Sequence, residues 1–257
     1  MFFFLFPALL TYNWILILAA VIPAIILIVK VYRADRLEKE SPALIRSLIL
    51  MGIISTFFAL ISERVLGAVL DRVVAGNVNL QNPVLYNAIL YFGIVGFSEE
   101  CAKYVLLKKR TWHDREFNCQ FDAVVYAATV SLGFALWENI TYVMMYGFTT
   151  ALVRAVTAIP GHACFGVFMG LFYGQAKRFD FLGKKSASKA FRVLSVVIPA
   201  LVHGAYDFIA SMNSENSAWW FLGFVAVLFG VSYYLVVKAS RNDRRIDRHY
   251  STFEIIR

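Results

Sequence analysis

The sequence predicts an all-α polytopic membrane protein, a bundle of about seven transmembrane helices, and three observations predict it. Of 257 residues, 60% are hydrophobic and only 16% are charged, against about 45–50% and 25% in soluble domains. The apolar residues lie in blocks about 20 residues long, the length a helix needs to cross about 30 Å of hydrocarbon. Short charged stretches separate the blocks, and the basic residues concentrate in alternate ones.

The first block, about 8–29, has no positive stretch ahead of its apolar run, so it reads as an uncleaved anchor rather than a removable signal peptide. The second, about 44–62, is closed by Glu63 and Arg64. Beyond them Leu66, Val69, Leu70 and Val73 recur at helical spacing on one face, as in a helix lying along the membrane surface. The third, about 84–107, contains Phe97-Ser98-Glu99-Glu100-Cys101-Ala102-Lys103 inside its apolar run. The fourth, about 121–146, carries Trp137-Glu138-Asn139 after Phe134. The fifth, about 150–173, has Pro160-Gly161-His162, and the sixth, about 192–211, has His203-Gly204-Ala205-Tyr206-Asp207. Pro160 and Pro199 each precede a histidine, and local helix distortion is expected at both. The seventh block, about 217–238, is uncharged until Lys238 closes it.

Basic residues close to spans are retained on the cytoplasmic side. Lys30, Arg33, Arg36, Lys39 and Arg46 follow the first span, Lys108, Lys109, Arg110 and Arg115 the third; more lie in 177–192 and in the tail from Lys238, whereas the other connections carry only Arg64, Arg72 and Arg154. The chain is therefore expected in the cell membrane with its N-terminus outside and its C-terminus cytoplasmic. The same partition explains the net charge of +8 through orientation and anionic lipid, so nucleic acid is not an expected partner. Cys101, Cys119 and Cys164 fall in or beside spans without a CxxC, which implies neither a disulfide framework nor a thiolate zinc site. One membrane domain, 1–257, accounts for the chain, with the motif-bearing region at about 97–208 and a basic cytoplasmic tail at 239–257.

An ionisable side chain near the bilayer centre costs about 2.5–3.5 kcal/mol on insertion scales, so it persists with a partner or a function. Glu99 and Lys103 share a helix face and can neutralise each other, and a lone His162 can be polar glue between helices. Glu99, Glu100, Glu138, His162, His203 and Asp207, spread over four spans, exceed what packing requires. Carboxylate and imidazole together can hold and deprotonate water, so hydrolysis is the natural chemistry. Glu138, His162, His203 and Asp207 are also suitable ligands for a divalent metal such as zinc, leaving Glu99 and Glu100 as base. There is no Gly-x-Ser-x-Gly, Ser98 is followed by two acids, and no His-Glu-x-x-His occurs, which excludes serine and zincin motifs. A proton- or metal-coupled transporter remains the alternative, and a non-catalytic scaffold a third.

The order Glu99-Glu100-x-x-Lys103, Phe134-x-x-x-Glu138-Asn139, His162, His203-x-x-x-Asp207 on four successive spans resembles the PrsW family of bacterial membrane proteases, relatives of the CAAX prenyl protease group. The resemblance implies that Glu99 and Glu100 supply the catalytic carboxylate, that His162 and His203 activate water or stabilise the oxyanion, and that Glu138 and Asp207 complete the site with Lys103 beside it. It also implies a single-pass membrane substrate, an anti-sigma factor or similar regulator, cut on or near its external face. Both a metallo- and a glutamic-type mechanism fit the resemblance. In the CAAX group Asn stands at the Asp207 position and His occurs in a motif resembling Phe134 to Glu138, so roles transfer less directly from that group.

Overall fold

A computed structural model describes residues 14–77 and 82–246. The chain forms α1 (Trp14–Ala34), α2 (Pro42–Ala75), α3 (Pro83–Ala88), a π-helical segment (Ile89–Val95), α4 (Gly96–Thr111), α5 (Asp122–Tyr146), α6 (Phe148–Val156), α7 (Ala158–Phe181), α8 (Lys185–Ala210) and α9 (Ser217–Arg241). Among the described residues, six runs are long and apolar enough to cross a membrane: Leu16–Ala34, Pro42–Ala75, Asp122–Tyr146, Phe148–Phe181, Lys185–Ala210 and Ser217–Arg241. The expected third span is helical from Pro83 to Thr111, but the π segment divides it and its charges keep it below that standard. With it the described residues hold seven long helical runs. The start of the first expected span, 8–13, lies outside the described residues.

One expectation about helix shape is corrected. The stretch bearing Leu66, Val69, Leu70 and Val73 is no separate surface helix, because α2 runs unbroken for 34 residues, about 51 Å at 1.5 Å per residue. Glu63 and Arg64 interrupt only its hydropathy, and charges do not end a helix whose backbone hydrogen bonds continue. Neither proline ends its helix. Pro160 is the third residue of α7, where a missing N–H costs nothing, and the chain breaks instead at Thr157 (φ −120°, ψ −71°). Pro199 lies inside an unbroken α8.

Lipid gives no hydrophobic drive for helices to associate, so close backbone approach at small residues does the work. Gly166, Gly170 and Gly174 form a ridge along α7 that lies on α5. A Cβ at Gly170 would stand 2.5 Å from the Cα of Val124, and one at Gly166 2.7 Å from the Cα of Ala128. Packed this way, α5 is buried from Asp122 to Ala135 and forms the centre of the bundle.

The basic loops meet on one face. Ser41 caps α2 and gives its backbone N–H and hydroxyl to Glu116 at 2.7 and 2.8 Å. Lys177 donates to the carbonyl of Trp112 at 2.5 Å. The segment after α9 folds back: Ile246 is buried and bonds the carbonyl of Asn118, and Arg245 pairs with Glu38 at 3.0 Å. Residues 239–246 are thus docked, while the rest of the expected tail lies outside the described residues. Burial pushes the Glu40 carboxyl on this face up to about 8 and raises that of Asp35. Cys101, Cys119 and Cys164 are free.

Candidate active site

The acids expected to matter come from the first turn of α4, just after the π segment. Such segments insert one residue into the helical repeat and often mark functional sites. Here the π run ends at Gly96, whose missing side chain lets α4 touch α8. A Cβ on Gly96 would lie 2.6 Å from the Ala200 carbonyl oxygen, and one on Gly204 2.8 Å from the Cα of Phe92. Those two glycines bring Glu100 within reach of His203.

Glu99, Glu100, Lys103, His162 and His203 are all buried. Lys103 sits at the centre, its ammonium 3.1 Å from Glu99 Oε2, 2.7 Å from Glu100 Oε1 and 3.2 Å from His162 Nδ1. The ring of Phe134 lies beneath it, 4.0 Å away. A lysine ammonium only donates, so His162 accepts at Nδ1, and its Nε2–H faces Glu138 Oε2 at 2.9 Å. His203 faces Glu100 Oε1 through Nδ1 at 3.0 Å and Asp207 Oδ2 through Nε2 at 3.4 Å. The two rings meet edge to face, and Phe165 stacks on His203 with centroids 4.5 Å apart. Ser131 donates to the carbonyl of His162 at 2.6 Å, which fixes that turn of α7 against α5.

Each expected site residue therefore joins one network, and the network has layers. Glu99, Glu100, His162 and His203 each offer a ligand atom within 4.8 Å of the others. Glu138 and Asp207 flank the imidazoles on the cavity side, each meeting the Nε2 of one ring. The two adjacent acids are also unequal. Glu99 lines a cavity of about 490 Å³ together with His162, His203, Glu138 and Asp207. Glu100 and Lys103 are wholly buried behind it, and Glu100 Oε2 has no hydrogen-bond partner among the described residues.

Three further residues enter, of which Asn139 belonged to the sequence motif while Arg154 and Glu63 had not been placed in the site. Arg154, counted there as a loop cation, reaches from α6 to Glu138 Oε2 at 2.7 Å and Asn139 Oδ1 at 3.0 Å, with its guanidinium 3.9 Å from the centre of the Tyr142 ring. A lone arginine at the start of an otherwise uncharged span was the signal that could have found it. Asn139 completes the chain by donating to the carbonyl of Ala20 on α1 at 3.0 Å. Glu63 of α2 lines the cavity, although its sequence position reads as a span boundary.

Depth agrees among the helices. α4 extends to Thr111, so Glu99 stands about 18 Å from the basic face at 1.5 Å per residue, deeper than a helix end at 107 would put it. His162, His203, Asp207 and Glu138 all lie within about 12 Å of their helix ends on the opposite face.

Residues 40–237 match a family model described as PrsW family intramembrane metalloprotease. The chain is 30% identical over 226 residues to Protease PrsW of Shouchella clausii, covering 88% of this chain and 97% of that protein. It is 31% identical over 229 residues to Protease PrsW of Halalkalibacterium halodurans, covering 89% and 99%. With Protease PrsW of Bacillus subtilis it shares 32% identity over 214 residues, 83% of this chain and 90% of that one. No solved structure matches the chain.

Proposed function

We propose that this chain, which belongs to the PrsW family of intramembrane metalloproteases, cuts a single-pass membrane protein with water activated beside Glu99 in the cavity between α2, α5, α7 and α8. It is a multi-pass membrane peptidase; the substrate, the metal and the residue roles are our reading. The observation that carries the reading is the buried Glu99, Glu100, His162 and His203 group opening through Glu99 onto that cavity.

The donor set suits zinc, which takes imidazole nitrogen and carboxylate oxygen. The unpartnered Glu100 Oε2 and the two imidazoles, each met by a carboxylate at its Nε2, fit such an ion as well. We assign Glu100, His162 and His203 as the three residues that would hold it, which leaves a position open for water and Glu99 free as base, with Glu138 and Asp207 as the groups that orient the imidazoles. A bound zinc ion polarises a carbonyl and makes water acidic near neutral pH. Glu99, the acid that reaches the cavity, takes the proton of the attacking water and returns it to the leaving amine. Arg154 neutralises Glu138 and holds it against His162.

The clustering of basic residues supports an N-terminus outside and a C-terminus in the cytoplasm of a bacterial cell membrane. His162, His203, Asp207 and Glu138 then lie on the outer side of the site, which suits a cut near the external end of a single-pass regulator such as an anti-sigma factor. The test is metal content of the purified chain, measured together with cleavage of a candidate substrate in vesicles. About one zinc per chain, lost in His203→Ala, with cleavage stopped by phenanthroline and restored by zinc, is expected for a catalytic site of this type. Full cleavage by metal-free protein would replace it with a carboxylate-only mechanism.

A further inference from the structure

A second buried acidic group lies on the basic face, about 24 Å along α5 from Glu138 at 1.5 Å per residue. Asp35 follows α1, Glu40 precedes the cap of α2, and Asp122 opens α5. All three are buried, at 3%, 2% and 0% exposure, and each offers a carboxylate oxygen within 4.8 Å of the others. In each carboxylate the protein satisfies one oxygen and leaves the other bare. Asp35 Oδ1 accepts from the Leu37 N–H, Glu40 Oε2 from the Tyr126 hydroxyl, and Asp122 Oδ2 from the N–H groups of Asn118 and Cys119. Asp35 Oδ2, Glu40 Oε1 and Asp122 Oδ1 have no partner among the described residues.

The cations nearby are engaged elsewhere. Lys39 donates to the carbonyls of Tyr32, Arg33 and Asp35, and Arg245 pairs with Glu38. Asp243 adds a further carboxylate: its Oδ1 accepts from Phe121 N–H and its Oδ2 is bare. Buried acceptors are ordinarily paired, and three carboxylates this close together, each with one bare oxygen, call for a shared positive partner.

We propose that Asp35, Glu40 and Asp122 bind a hard divalent cation of the magnesium, manganese or calcium class, at a site separate from the Glu–His cluster. An all-carboxylate oxygen set selects such ions over zinc or copper, and water completes their coordination. The ion would tie the end of α1 and the start of α2 to the start of α5, the central helix. Cys119 and Glu38 also approach Asp122, so a thiol-seeking ion is the competitor to be distinguished.

The test uses the full-length chain in detergent, stripped with EDTA and titrated with manganese by electron paramagnetic resonance. Wild type, His203→Ala, Glu40→Gln and Asp35→Asn are compared. The expected result is a manganese site that magnesium or calcium displaces, that His203→Ala retains, and that both carboxylate variants weaken by at least ~10-fold, since affinity at such sites follows ligand charge. Retention by His203→Ala keeps the result independent of whether a carboxylate variant folds. Absence of manganese binding in wild type, its loss in His203→Ala, or displacement by zinc alone would overturn the proposal.

Discussion

Replacing Arg154 with Met tests whether the layer flanking the imidazoles controls the chemistry. Arg154 and Glu138 are 15% and 22% exposed, and their contact is 2.7 Å. Breaking a fully buried ion pair costs about 3–5 kcal/mol, and partial exposure reduces that to about 1–3 kcal/mol here. Glu138 is also what orients His162 through Nε2. Losing such an outer partner typically costs about 10- to 100-fold in activity or metal affinity, or about 1.4–2.7 kcal/mol. Arg154→Met should therefore lower kcat by about that factor, with KM changed little, when cleavage is followed in vesicles. Arg154→Lys keeps the charge but cannot bridge Glu138 and Asn139 with one planar group, so it should recover only part of the loss. The reasoning fails if Arg154→Met cleaves at the wild-type rate while its thermal midpoint confirms an unaltered fold.

The two adjacent glutamates should separate. Glu99→Gln is expected to reduce cleavage by about 10²–10⁴-fold with little loss of thermal stability, because it removes a base at the cavity wall; equal stability losses in Glu99→Gln and Glu100→Gln would refute the division. Lys103→Met leaves two buried carboxylates without their ammonium, so the metal-free protein should lose about 3–5 kcal/mol of stability. The same variant should hold zinc more tightly by competition titration, and unchanged affinity would show that the ammonium does not contend for those ligands. Gly170→Val should separate α7 from α5 and cost about 1–3 kcal/mol, read as a lower thermal midpoint, whereas Gly223→Ala, with nothing within 4 Å, should be silent.

The spans were legible because hydropathy and the alternation of basic loops report on lipid directly, and the site was legible because charges inside apolar runs need a reason. What stayed hidden depended on geometry across helices. Arg154 meets Glu138 because the chain turns at Gly147 (φ 84°), between α5 and α6, and spacing in sequence carries no trace of that contact. The π segment at Ile89–Val95 has an ordinary apolar composition, so periodicity cannot distinguish it from α-helix. The Gly166, Gly170, Gly174 ridge was readable as a four-residue repeat of small residues, yet only its partner surface on α5 gives it meaning. Glu99 and Glu100 look equivalent as neighbours; a helix turns about 100° between them, so one faces the cavity and the other the protein.

The Glu99, Glu100 and Lys103 triplet can be read as an ion pair that helps a helix enter the membrane and as the catalytic group proposed above, and the two readings are compatible. Spaced at i+3 and i+4, Lys103 reaches both acids from the same helix, so the pairing forms without any other span and lowers the charge α4 brings into lipid. His162 and His203 arrive only when α7 and α8 pack, through Gly96 and Gly204 for the latter. Their nitrogens then meet groups that the ammonium has already gathered: His162 meets the ammonium itself, and His203 meets Glu100. Lys103 thus holds the lone pairs of Glu99, Glu100 and His162 together in the metal-free chain, which is why a single lysine can serve both insertion and the assembly of the site.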